Sequence, residues 1–161
     1  MVMEVIRVNY LDMDVGALSF DTATGVGAFE YDASFINRGI QLSPLKMPLA
    51  KQIYSFPELS TGIGFETFKG LPGLIADSLP DDFGNAVLNA WVASRGKLAA
   101  DITPLQRLQY TGKRGIGALE YAPATRLKHL NASQQVEIES LVGIAQEILD
   151  NRADFTVALN N

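Results

Sequence analysis

The spacing of apolar positions changes period about halfway along the chain. Val5 to Leu11, Ala17 to Phe20 and Val26 to Tyr31 are short runs with β-branched and aromatic side chains, which suit a pleated, half-buried surface. Between the last two lies Asp21-Thr22-Ala23-Thr24-Gly25, a polar loop ending in glycine. That arrangement predicts a hairpin. Phe35 to Leu42, closed by Ser43-Pro44, reads as another strand, and Lys51 to Phe56, ended by Pro57, as a fifth. Short strands at this spacing predict a small, mostly antiparallel sheet or a partly closed barrel.

The second half is helical. Ser78-Leu79-Pro80-Asp81 offers a capping oxygen followed three residues later by a carboxylate, the signature of a helix start. Proline is tolerated in that first turn, where its missing N–H would be unpaired anyway. Phe83, Val87, Leu88, Trp91 and Val92 then recur at helical spacing, and Arg95-Gly96 reads as the stop. Thr103-Pro104-Leu105-Gln106 opens a second helix, kept short by Gly112. Ala118 to Ala122 reads as a strand returning to the sheet. From Ser133 to Leu149, Ile138, Leu141, Val142, Ala145, Ile148 and Leu149 lie on one helical stripe. Asp154 to Leu159 reads as a final strand. The expected class is therefore α+β: a sheet with several helices, then a further helix and strand. The best internal boundary, Arg126 to Asn131, separates a domain over 1–125 from the segment 126–161.

Composition narrows the function classes. A chain of 161 residues with 47% apolar content fills a real core, and folding at this size buries roughly 70% of the unfolded surface. With no cysteine and one histidine, disulfides, thiol nucleophiles and ordinary zinc sites are ruled out. Net charge is −5, and the 13 lysines and arginines are scattered, which argues against a phosphate-tracking, nucleic-acid surface. No apolar run approaches the roughly 18 residues of a bilayer span. The start, MVMEVIRVNYLDMD, is too acidic for a secretory signal. A soluble, cytoplasmic protein is expected, with no membrane partner.

Few residues offer chemistry. Gly112-Lys113-Arg114-Gly115-Ile116-Gly117 is the sharpest candidate. Glycines bring backbone N–H groups close to a phosphate, and cations add charge, so Lys113, Arg114 and Gly115 form a weak anion site. A phosphate-binding loop, however, has its lysine after the glycines and a helix behind it. Here the order is reversed, which favours a tight turn with exposed charges. Asp77, Asp81 and Asp82 crowd one helix start. They suit a hard cation, but equally the positive end of a helix dipole; no glycine-punctuated calcium loop is present. His129 lies in a connector with no acid at an informative spacing. Ser19, Ser43, Ser55 and Ser60 lie in no nucleophile elbow. Gly25-Val26-Gly27 and Gly62-Ile63-Gly64 are read as turns or bulges. Trp91 is read as a core anchor before an interface anchor.

Two segments carry more information as patterns than as chemistry. Leu79-Pro80-Asp81-Asp82-Phe83-Gly84 resembles the Leu-Pro-Asp-(aromatic)-Gly helix start of the HipA family, kinase toxins of bacterial toxin–antitoxin systems. Gly115-Ile116-Gly117-Ala118-Leu119 is similar to that family's glycine turn and following strand, and Gly16 to Phe20 with Phe29-Glu30-Tyr31 fits its opening hairpin. The resemblance covers roughly Val15 to Leu159 and implies an amino-terminal α/β portion. In the family, a larger helical serine/threonine kinase portion follows, often with a DNA-binding antitoxin as partner. The family's ATP loop should follow the strand at Asp154 to Leu159, where only Asn160 and Asn161 remain. No catalytic, metal or cofactor residue carries over; ATP and magnesium are expected only of a full-length kinase. The resemblance thus implies a non-catalytic domain that covers the ATP lobe and meets a protein partner. That partner is an antitoxin or a kinase domain in the same or a separate chain, with no direct contact to nucleic acid. The alternatives are a stand-alone, antitoxin-like inhibitor of a separate shortened kinase, and an anion-binding module built on residues 113–117.

Overall fold

In the computed structural model, β1 (Met3–Tyr10), β2 (Met13–Asp21) and β3 (Val26–Tyr31) form an antiparallel meander. Residues 3–112 and 117–123 are described. β4 (Ile53–Ser55) adds to the outer side of β3, and β5 (Leu119–Pro123) to the other side of β1. The order β4-β3-β2-β1-β5 is an open sheet, antiparallel throughout. Of the two forms allowed by sequence, it is the sheet and not the closed barrel. No helix among the described residues is long and apolar enough to cross a membrane.

Contacts divide the chain into two units. One comprises Met1–Leu79 with Thr103–Thr125, the other Pro80–Ile102 with Arg126–Asn161. The sequence-predicted helix from Ser133 and strand from Asp154 lie outside the described residues.

In the sheet unit, alternation sends Ile6 and Val8 (β1), Leu18 and Phe20 (β2), Phe29 and Tyr31 (β3), Tyr54 (β4), and Leu119 and Tyr121 (β5) to one buried face. The register shifts beside Val8: Val8 faces Gly16 and Asn9 faces Asp14, which leaves Val15 as an extra residue. Such a bulge re-aims a side chain. Val15 is fully buried, and its carbonyl accepts the Asp32 N–H at 2.8 Å. The turn from β1 to β2 is made by Leu11 and Asp12, both with positive φ, the geometry of a tight hairpin turn without its usual glycine.

Phe35 to Leu42 is not a strand. Asp32 caps a short helix, α1 (Ala33–Ile36), by accepting the Ser34 N–H at 2.8 Å. Hydrogen bonds from the Ser34 hydroxyl and amide hold the Asp32 carboxyl below its ordinary pKa. Local side-chain bonding of this kind competes directly with a ladder, and Phe35 still reaches the core. The chain that follows lies over the sheet, with Met47 as a buried plug. Tyr31 donates its hydroxyl to the Met47 carbonyl at 2.9 Å, and Tyr54 donates to the Pro48 carbonyl.

Two helices, α2 (Gly62–Phe68) and α3 (Gly73–Ala76), were not apparent in the sequence. Gly62-Ile63-Gly64 opens α2 and is no bulge. Between the helices, Gly70 has φ +77, and a Cβ there would lie 1.9 Å from the Gly25 carbonyl oxygen. That close approach lets the Gly70 carbonyl accept the Gly27 N–H at 2.7 Å and seats Leu71, fully buried, against Gly27. In the second unit, α4 (Asp82–Ser94) buries Val87, Leu88, Trp91 and Val92. In the sheet unit, α5 (Pro104–Thr111) buries Leu105 and Leu108.

Replacing Gly70 by alanine combines a left-handed φ with a backbone clash. We expect Gly70→Ala to cost about 2–4 kcal/mol of unfolding free energy in urea titration. An unchanged midpoint would show that the Gly25–Gly70 contact does not constrain the fold.

Candidate functional site

The residues with chemical potential near the second unit's helix are used structurally. The Asp81 carboxylate accepts the Gly84 N–H at 2.7 Å and so caps α4, with Asp82 in the first turn. Gly84 keeps the turn tight, since a Cβ there would lie 3.0 Å from the Pro80 side chain. Asn85 donates its side-chain amide to the Pro80 carbonyl at 2.8 Å. Ser78 is not the cap that its spacing suggested: its N–H closes the turn after α3, on the Ile75 carbonyl. Asp77 follows α3 as its C-cap. Among the described residues, no cluster of histidine and carboxylates has the geometry to hold a metal ion. Trp91 is buried, and the Arg95 guanidinium lies 4.2 Å from its ring centre, a cation–π contact.

Lys113, Arg114 and Gly115 lie outside the described residues. On either side of them, Gly112 closes α5 by donating to the Leu108 carbonyl at 2.9 Å, and a Cβ on Gly117 would lie 3.4 Å from Ser78 Oγ. Ser78 is itself buried, beside Tyr121. It favours the ionised phenol slightly but makes no well-formed hydrogen bond to it. Burial dominates and pushes Tyr121 up to about 12. Tyr31 is raised to about 12 as well, by burial and then by the neighbouring Tyr54.

The α5 start is tied to the sheet by a carboxylate that sequence reading missed. Thr103 and Gln106 form a capping box: the Thr103 hydroxyl accepts the Gln106 N–H, and the Gln106 side chain accepts the Thr103 N–H, each at 3.2 Å. Their remaining donors both go to Glu4 on β1, Thr103 Oγ1 at 2.6 Å and Gln106 Nε2 at 2.9 Å. The partners are separated by about a hundred residues, so no local spacing signals the contact.

Surface depressions also mark the described part of the sheet unit. One, of about 470 Å³, lies on the outer sheet face, with Ala17 between the Arg7–Asp14 ion pair (2.9 Å) and the charges of Glu30 and Lys51. Another, of about 220 Å³, is lined chiefly by Met47, Phe56, Leu59, Phe68 and Leu74, together with Lys46 and Glu58. Alternation along β1–β3 was the available signal for the first. The second is made by α2, α3 and the Met47 loop, which alternation does not reveal.

The family model of the HipA N-terminal domain matches residues 6–122, well over half of the chain. The chain belongs to the HipA N-terminal domain family. The match runs from Ile6 in β1 past Tyr121 in β5, both buried, and includes both segments singled out in the sequence. No curated protein matches the chain. In this HipA N-terminal domain, the Leu-Pro-Asp start is a helix cap, and Gly117 and Ala118 lead directly into the strand that flanks β1.

The two raised phenols give the domain a pH signature. Of its five tyrosines, Tyr31 and Tyr121 should ionise late, near 12. A phenol whose pKa rises on folding stabilises the native state fully below about 10. That stability is lost as pH climbs from there toward 12. Ultraviolet titration should therefore show a late phase that shrinks in Tyr31→Phe. A single phase at the ordinary tyrosine pKa in folded protein would contradict this.

Proposed function

We propose that this chain is the non-catalytic amino-terminal domain of a HipA-like serine/threonine kinase of a toxin–antitoxin system. Its role is to cover the ATP-binding lobe and to contribute the surface that meets an antitoxin or another protein partner in the cytoplasm. The observation that carries this reading is the family match over residues 6–122, which reaches all five strands of the sheet and takes in both signature segments. The chemistry of the described residues agrees with it. Asp81 caps the helix start with Asp82 in its first turn, and the outer groove presents charged side chains that can complement charges on another chain. Phosphoryl transfer needs phosphate positioning, a metal and an orienting or basic group; the family features that supply them have no counterpart in this sequence.

A second reading is a separate inhibitor of a shortened kinase. It is favoured by one feature: among the described residues, the sheet has a core cluster of its own that runs from Ile6 to Tyr121. A reading frame that runs on past Asn161 into a glycine- and serine-rich loop supports the first reading. A stop codon followed by a separate kinase gene supports the second. For either, purified protein of these 161 residues incubated with ATP and magnesium should release no ADP and label no residue of its own. Turnover that co-purifies with the chain would overturn both.

A further inference from the structure

Among the described residues, no strand pairs with the outer side of β4. Hydrogen-bonding directions alternate along an antiparallel strand. On β3, Gly27 sends its N–H away from β2 to the Gly70 carbonyl, so Phe29, two residues on, turns its backbone groups toward β4. Its partner there is Tyr54. Ile53 and Ser55 therefore point their N–H and C=O groups away from the sheet. None of these four groups has a hydrogen-bond partner among the described residues. Ile53 is 67% exposed, and Ser55 is exposed beside it.

Such an edge is a template for another extended main chain. A second copy of β4 is a poor occupant. Pairing three residues with three buries far less than the about 800 Å² per partner of a stable interface. An extended segment of a different protein, held also at other points, meets no such limit. Side-chain chemistry narrows it further. Residues two apart on an added strand share a face, so one beside Ile53 meets an apolar surface. The next on that face lies toward Lys51, which is exposed, lines the outer groove and forms no ion pair among the described residues. Glu30 lies across Ile53 on the β3 side, screened from the added strand by β4 itself.

We propose that the β4 edge is the docking site for an extended segment of a protein partner, with an apolar residue beside Ile53 and a carboxylate two positions away beside Lys51. This rests on the protein-binding role proposed above and gives the chemistry of the segment bound.

A random octapeptide library displayed on phage and selected on the full chain tests the idea. Ile53→Pro, at the exposed first residue of an edge strand, removes an N–H that bonds nothing among the described residues, a position where proline is tolerated, so its thermal midpoint should stay close to wild type. Selected peptides should share the apolar–x–acidic pattern and bind Ile53→Pro at least about tenfold more weakly. Lys51→Glu, a surface change outside the ladder, should weaken acidic peptides and select basic ones; this arm stands even if Ile53→Pro unfolds. Failure to select any peptide would overturn the proposal. Peptides that bind wild type and both variants equally would remove β4 from the interface while leaving a protein-binding role elsewhere intact. Concentration-dependent dimers abolished by Ile53→Pro would assign the edge to a second copy and also overturn it.

Discussion

The structure of the sheet unit depends on burial of one face of the sheet in a single register. Phe29 shows the constraint most plainly. It is buried in the ladder between Leu18 and Tyr54, edge-on to Tyr31 with ring centres 4.9 Å apart. Gly16, opposite Tyr31, has no room for a side chain: a Cβ would lie 2.1 Å from the Glu30 carbonyl oxygen and 2.9 Å from Phe29 Cζ. A slip of one residue would turn every one of these side chains to solvent. The bulge at Val15 works within the same constraint, adding one more apolar side chain to the core without disturbing the pairs on either side.

Everything else in the unit is fastened to that buried face. Leu71 reaches it because Gly25, Gly27 and Gly70 let two backbones approach closely. The Met47 loop is held by the hydroxyls of two buried tyrosines whose rings belong to the core. The start of α5 is joined to β1 through Glu4. Polar groups in these places do more than satisfy themselves: each fixes a long-range contact that apolar packing alone would leave loosely specified. With one face covered in this way, the outer face and the β4 edge are, among the described residues, parts of the sheet left for another molecule.

The sequence made the repeating elements legible and the long-range ones invisible. Val26 to Tyr31, the Asp21–Gly25 loop, the Thr103–Gln106 capping box and the Arg95-Gly96 stop all rest on neighbouring residues, and the structure has each of them. Phe35 to Leu42 had the composition of a strand, but Asp32 one turn earlier offered a cap that local pattern did not weigh. Ser78 and Asp81 competed for one helix start, and burial beside Tyr121 decided against Ser78. The turn at Leu11-Asp12 had no glycine to mark it. Gly62-Ile63-Gly64 reads as a turn or bulge and opens a helix, while Gly70, which no local pattern singled out, stands where the Gly25 backbone leaves no room for a Cβ. Of the site candidates, Asp81 resolved into the cap of α4, Asp82 into its first turn and Asp77 into the end of α3, while Lys113, Arg114 and Gly115 lie outside the described residues. The open edge of β4 needed the pairing partners of β3, which no single-strand pattern contains.

The central claim is that one sheet face is sealed by core packing while the β4 edge stays open for a partner. Amide hydrogen exchange on the free, monomeric chain tests it most directly. The account predicts that the Leu18 and Phe29 amides exchange only through global unfolding, whereas those of Ile53 and Ser55 exchange nearly as fast as in an unstructured peptide. Ile53 and Ser55 amides as protected as Phe29 would contradict it, because the edge would then already be covered.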